Sequence, residues 1–335
     1  MSRRSICTRT FSALVSIVRE LGPDIVMATH STEIMAEADP SEIVLVDKSR
    51  RSGERLKTVE SLQGALEKVG SIQNITLARL ARTRKVLFVE DEYDHIILRR
   101  FARLLGFEEL GSGMDVTAVK SGGFSSWEKI SALGWGLEKA LGASLYLGAV
   151  YDRDYYCDEE ISVVLDELRK TVTIAHVHAR KEIENYLLAP GALERALVTA
   201  VAERCRRTGE ATQPAVEGLR TILESVTDAY KGSVQGQYVG RRVEYFRRTG
   251  KDASTLVAEA IADFERKWQE LDTRLEMVPG KAVLADVRKL LQDRYSVSMT
   301  DYRIISAYKP AEVPSDLKEF LTKLDEFRRL GTHAG

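Results

Sequence analysis

The sequence predicts an α/β fold: a small parallel sheet flanked by helices, with a helical insertion or arm. Three observations lead there. Residues 85–90 (Lys85-Val-Leu-Phe-Val-Glu90) and 145–151 are continuous apolar runs, as expected of strands covered on both faces. Helical patterns alternate with these runs, which predicts right-handed βαβ units in a parallel sheet. Beyond Pro190 strand signals stop, and residues 191–275 are charged with a helical period.

In chain order, residues 24–28 and 42–46 are short β-type runs around Thr-His30-Ser31-Thr. Residues 48–58 bring Lys48, Arg50, Arg51, Arg55 and Lys57 around Gly53, which suits an exposed hairpin or linker. A helix over 61–82 leads into the strand at 85. Ile97, Phe101, Leu104 and Leu105 then share one helix face, with Gly106 as its C-cap. A weaker strand, 116–119, precedes Ser121-Gly-Gly and a helix that turns Trp127, Ile130, Leu137 and Leu141 inward. Strand 145–151, helix 158–170 and strand 171–177 follow. Pro279-Gly280-Lys281 closes the helical region as a tight loop, and a last helical segment runs to about residue 329.

Lys and Arg total 49 against 50 Asp and Glu, a formal charge of −1, so any nucleic-acid partner must be inferred from the distribution of charge. Cys7, Cys157 and Cys205 stand far apart without a C-x-x-C pair, which argues against a disulfide framework or structural zinc and for a reducing compartment. No apolar run approaches the ~18–20 residues that span a bilayer, and no signal-type segment follows Met1. The expectation is a cytoplasmic protein without a membrane partner.

The acids carry the chemical reading. Ligands of parallel α/β sheets bind beyond the carboxyl ends of the strands. Glu90 ends the first strand, with Asp94 one turn into the next helix. Asp152 and Asp154 end the long apolar strand, and period-2 alternation places both on one side with Arg153 opposite. Glu182 and Glu184 follow the last strand. Acids at a strand end also occur as solvated caps, so one pair says little; three such pairs on one edge point to a hard divalent cation, Mg²⁺ or Mn²⁺. The ion relieves like-charge repulsion, and two of them can drive phosphodiester hydrolysis.

Val89-Glu90 with Asp94, then Asp152-Arg-Asp154 after an apolar strand, resembles the TOPRIM domain of topoisomerases, primases and related nucleases. Lys181-Glu-Ile-Glu-Asn-Tyr-Leu187 and Pro279-Gly-Lys281 resemble the C-terminal half of the OLD (overcoming lysogenization defect) family, ATP-linked nucleases of bacteria and phages. The resemblance implies metal ligands or their supports at Glu90, Asp94, Asp152, Asp154, Glu182 and Glu184. Glu90, Asp152 and Lys281 become catalytic, Lys281 as the cation that stabilises the transition-state phosphate. Without the resemblance, a lysine after Pro-Gly reads as surface. It also implies a homodimer, since cutting both strands takes two sites. Nothing resembles the tyrosine module of a strand-passing topoisomerase, so water, rather than Tyr151, Tyr155 or Tyr156, is the expected nucleophile.

Ile25-Val-Met-Ala-Thr-His30-Ser31 resembles the switch-histidine segment of an ABC-type ATPase, yet no G-x-x-x-x-G-K-[ST] loop exists: Gly250-Lys251 is followed by Asp252, Gly280-Lys281 by Ala282. The expectation is an ATPase remnant over 1–60, with the ATPase itself supplied elsewhere or lost. The remaining division is a linker helix 61–84, a catalytic domain 85–190, a helical arm 191–278, and a segment 279–335 completing the catalytic domain. Within the arm, residues 231–251 gather Arg241, Arg242, Arg247, Arg248 and Lys251 with Tyr238 and Tyr245. Such a run is either a solvated helix face or a surface that tracks DNA phosphates with aromatics near bases. His176 and His178 read as structural or supporting. The leading function is a Mg²⁺- or Mn²⁺-dependent endonuclease or nickase. Primase-like nucleotidyl transfer and a non-catalytic TOPRIM scaffold in a recombination or phage-defence complex are the alternatives.

Overall fold

The computed structural model describes residues 26–28, 42–47, 52–55, 80–209 and 218–331. His30, the segment 56–79 and Cys7 lie outside these. Residues 26–28 carry no regular structure, so the described part of the expected strand 24–28 is not a strand. Strand β1 (Val44–Asp47) pairs antiparallel with β2 (Ser52–Arg55), the described part of the basic segment.

The main sheet contains β3 (Lys85–Val89), β4 (Thr117–Lys120), β5 (Tyr146–Tyr151) and β6 (Ile174–Val177), all parallel, in the order β4-β3-β5-β6. The α/β class expected from the alternation is therefore present. All five β3 residues are buried, and the period of two sorts them onto opposite faces. Leu87 and Val89 pack with the helices on one side; Val86 and Phe88 join Ala149, Tyr151, Phe124 and Ile130 on the other.

Helix α1 (Glu92–Leu104) and the short α2 (Glu108–Ser112) follow β3. Asp91 and Asp94 cap α1 reciprocally: the Asp91 carboxylate accepts from the Tyr93 amide at 3.1 Å, and the Asp94 carboxylate from the Asp91 amide at 2.8 Å. Gly106 lies just past the end with φ +84°, as the capping signal required. A 3-10 turn (Phe124–Lys129) and α3 (Ile130–Leu141) follow β4, and α4 (Asp158–Leu168) follows β5.

The region beyond Pro190 is helical throughout its described part: α5 (Pro190–Thr208), α6 (Leu219–Asp228), α7 (Lys231–Phe246), α8 (Ala253–Gln269) and α9 (Leu271–Met277). It is not set apart from the sheet. Leu193, Leu197, Ile222 and Leu275 share one buried cluster with Leu87, Val89 and Phe101. The last part is α10 (Gly280–Tyr295), α11 (Asp301–Ser306) and α12 (Ser315–Arg329). Phe320 of α12 stacks on His176 of β6, ring centroids 4.2 Å apart. Among the described residues no helix is long and apolar enough to cross a membrane.

Candidate active site at the carboxyl edge of the sheet

The strand order locates a crevice. From β3 the chain goes to β4 on one side, then returns to β5 on the other, so the connections diverge between β3 and β5. Such a switch point is where open parallel sheets bind ligands. Glu90 follows β3; Asp152 and Asp154 follow β5; Glu182 and Glu184 stand on and just within a 3-10 turn (Ile183–Leu187) after β6.

Burial and neighbouring acids together raise Glu90, Asp94, Asp152 and Glu184. Burial raises the Glu90 carboxyl above its ordinary value, and the charges of Asp154 and Glu182 raise it further. Burial pushes Asp94 up to about 8; Glu184, Asp91 and Glu90 add to the rise, against the relief of the Asp91 amide bond. Asp152 is raised well above the carboxylate range by burial, then by Asp94, Glu90, Glu184 and Glu182. Burial lifts Glu184 to about 7, helped by Glu182 and Asp301. Burial is the largest cause at each of these groups, the neighbouring acids add to it, and Lys181 at Glu90 and Lys281 at Glu184 offset it only in part.

The alternation expected across Asp152-Arg153-Asp154 stops with the strand at Tyr151. Asp154 takes a left-handed φ of 47°, a conformation Asp tolerates better than most residues. Its amide donates to the Lys181 carbonyl at 2.9 Å, and its carboxylate accepts from Lys181 Nζ at 3.2 Å. Asp152 Oδ1 accepts the Ile183 amide at 3.0 Å, while Arg153 turns to Asp158 at 2.5 Å. Both acids still act on Glu90 or are acted on by it, by a route other than strand alternation.

Lys281 does not stand on a tight loop. Pro279 precedes the helix and Lys281 is the second residue of α10, because a proline is favoured where a helix starts and its missing N–H is no loss. The Lys281 amide donates to Glu182 Oε2 at 2.9 Å, and Glu182 Oε1 is bonded by Lys181 Nζ. Both oxygens of Glu182 are thus engaged, which makes it a support between two lysines. The Lys281 charge lowers Asp91 and Glu184.

Several participants had no assigned role in the sequence reading. Asp91 is bonded by Lys120 Nζ at 2.7 Å, and although burial opposes it, that bond and the Tyr93 amide hold Asp91 below its ordinary value. The Asp-x-x-Asp spacing of a capping box could have pointed to it. Lys181 is buried, yet Glu182 and Asp154 overcome the burial effect and hold its ammonium above the usual lysine range. Gly123, in the Ser121-Gly-Gly turn, lies where a Cβ would be 3.2 Å from Glu90 Oε1, so that turn walls the site.

The basic set divides. Arg241 is bonded to Glu160 of α4, pairs with Glu244 at 2.8 Å and covers the Tyr156 ring at 4.1 Å. Arg242 pairs with Asp263 at 3.7 Å and lies over Tyr238 at 4.4 Å. Lys251 pairs with Glu259 at 3.1 Å, while Arg247 and Arg248 are exposed at the end of α7. Tyr238 is buried, with its hydroxyl on Asp263, so it is not placed to meet a base. His176 and His178 are packing groups; burial lowers both, His178 to about 4.

The donor set suits a hard cation. Its atoms are carboxylate oxygens, and Glu90 Oε2 is buried without a hydrogen-bond partner. Among the described residues no three His, Cys, Asp or Glu side chains converge, as they stand, into a group able to hold a metal ion. No family model, curated protein or solved structure matches this chain.

Proposed function

We propose that this chain is a Mg²⁺- or Mn²⁺-dependent DNA endonuclease or nickase, a cytoplasmic protein of the kind its motifs resemble in the TOPRIM half of the OLD family. The observation that carries the reading is the placement of acids after β3, β5 and β6 beside the β3–β5 switch point, where burial first and neighbouring acids second raise Glu90, Asp94, Asp152 and Glu184. A binding module gains nothing from acids that repel one another at the mouth of its sheet.

Glu90, Asp94, Asp152, Asp154 and Glu184 would hold the ions, with Glu182 as support. A bound cation would offset the like-charge repulsion among them. Bound there, a divalent cation supplies an activated water and charge neutralisation on the phosphodiester. The chain's own residues do the rest. The Ile183 amide fixes one oxygen of Asp152, leaving the other for the site. The Lys120 ammonium holds Asp91 at the α1 N-terminus. Lys281, on the opposite side of Glu182, presents an ammonium that can stabilise charge developing on the phosphate.

DNA is the proposed substrate, with Arg247 and Arg248 the cations best exposed to its phosphates, and a homodimer the proposed assembly. An ATPase partner on another chain is the companion expected if the N-terminal resemblance holds. Purified protein incubated with supercoiled plasmid and Mn²⁺ should yield nicked or linear product. EDTA should abolish it, as should Glu90→Ala with its circular dichroism unchanged. Robust cutting by Glu90→Ala, or none by the wild type with either metal, would refute the proposal; primer synthesis from nucleotides would favour the primase-like reading.

A further inference from the structure

We infer that Asn185 is the positioning residue for Lys281, acting through a clamp that joins two segments far apart in the chain. The inference rests on the nuclease reading above. Asn185 is fully buried, and a buried amide must have its donors and acceptor satisfied. Here its Nδ2 donates to the carbonyls of Leu275 at 2.7 Å and Val278 at 2.9 Å, and its Oδ1 accepts the Glu182 amide at 2.8 Å.

One side chain thus ties the last turn of α9 and the residue before Pro279 to the acid-bearing turn after β6. Two further bonds run parallel to it: the Lys181 amide donates to the Glu276 carbonyl at 2.8 Å, and the Lys281 amide to Glu182 Oε2 at 2.9 Å. Gly280 permits the approach, since a Cβ there would lie 2.6 Å from Asn185 Oδ1 and 2.7 Å from its backbone nitrogen. Lys281 is exposed at the start of α10, so nothing in its own packing fixes it. What brings its charge to Asp91 and Glu184 is the clamp on either side of Gly280.

A residue that acts through another loses its effect once that other is removed. Single-turnover cleavage is therefore measured for the wild type, Asn185→Ala, Lys281→Ala and the double variant, with DNA affinity in parallel. Lys281→Ala should slow cleavage ~10²–10³-fold. Asn185→Ala should slow it about tenfold or more with affinity within about threefold, and add less than about twofold in the Lys281→Ala background. Gly280→Ala is the second variant: alanine in a helix first turn is otherwise favourable, so a similar rate loss marks the pressure on Asn185.

Hydrogen exchange over residues 275–284 reads the clamp without activity, and should quicken in Asn185→Ala while α5 stays protected. Unchanged exchange overturns the inference. Quickened exchange with additive rate losses overturns it too, while leaving the nuclease reading standing. If the wild type cuts nothing though exchange responds, the nuclease reading has failed and Asn185 is only a structural tie.

Discussion

Replacing Asp94 by Asn should change the pH dependence of stability in a calculable way. Asp94 ionises near 3.8 when unfolded and at about 8 in the fold. Between these values the native state binds more protons than the unfolded chain, so the group's contribution to stability falls as pH rises. The slope is about 1.36 kcal/mol per pH unit. From pH 5 to pH 6.5 the wild type should lose about 2 kcal/mol relative to Asp94→Asn, and by pH 7 the accumulated difference reaches at most about 4 kcal/mol. An asparagine keeps an oxygen to accept the Asp91 amide, so the α1 cap survives. The buried histidines act oppositely: His178, lowered to about 4, gains stability for the fold as pH rises to about 6.5. Both proteins share that term, so it cancels in the comparison. Urea denaturation of both proteins in EDTA at pH 5, 6.5 and 8 measures it. A difference that is constant with pH, or that shrinks towards pH 8, would refute the raised acid at position 94.

Other outcomes follow from the same geometry. Arg247→Ala with Arg248→Ala should weaken DNA binding and lower the salt slope of log K by up to about 2, at roughly 0.9 per phosphate contact; an unchanged slope would remove the arginines from the interface. Arg241→Ala should act on the fold instead, since it leaves Glu160 without its ion-pair partner between α4 and α7, and should lower the urea midpoint with the salt slope unchanged. Gly148→Ala in β5 would bring a Cβ to 2.7 Å from Ile174 Cγ2, and such overpacking costs about 1–3 kcal/mol of unfolding free energy. Without a phosphate-binding loop the chain should release no phosphate from ATP, measured with a coupled assay on protein of verified purity.

The two strands that frame the site were legible because burial on both faces demands continuous apolar runs, and β3 and β5 have them. Their acids were legible because each follows directly on an apolar run, at Val89 and at Tyr151. The order β4-β3-β5-β6, which turns those strand ends into a crevice, is a tertiary outcome that local pattern does not encode. Lys281 meets Glu182 across 99 residues, and no periodicity links the two; only the Pro-Gly before it marked the place. The acidic partners of the basic run were hidden for a related reason. Its length and charge suggested one phosphate-facing surface, but Glu160 and Asp263 approach from other helices and engage Arg241 and Arg242. Tyr238 was drawn into the core with them. The alternation read across Asp152 and Asp154 does not apply, since the strand ends at Tyr151 and Asp154 takes a left-handed turn.

Direct Mn²⁺ binding tests, independently of any substrate, the proposal that the acids beside the β3–β5 crevice hold a divalent cation. Electron paramagnetic resonance titration counts free Mn²⁺ against protein for the wild type, Glu90→Ala and Asp152→Ala at pH 8, where the acids are most ionised. The wild type should take up Mn²⁺ and both variants should bind markedly more weakly, with uptake weakening towards pH 6 as protons compete for the same oxygens. Equal binding by all three proteins, or none by the wild type, would contradict the account.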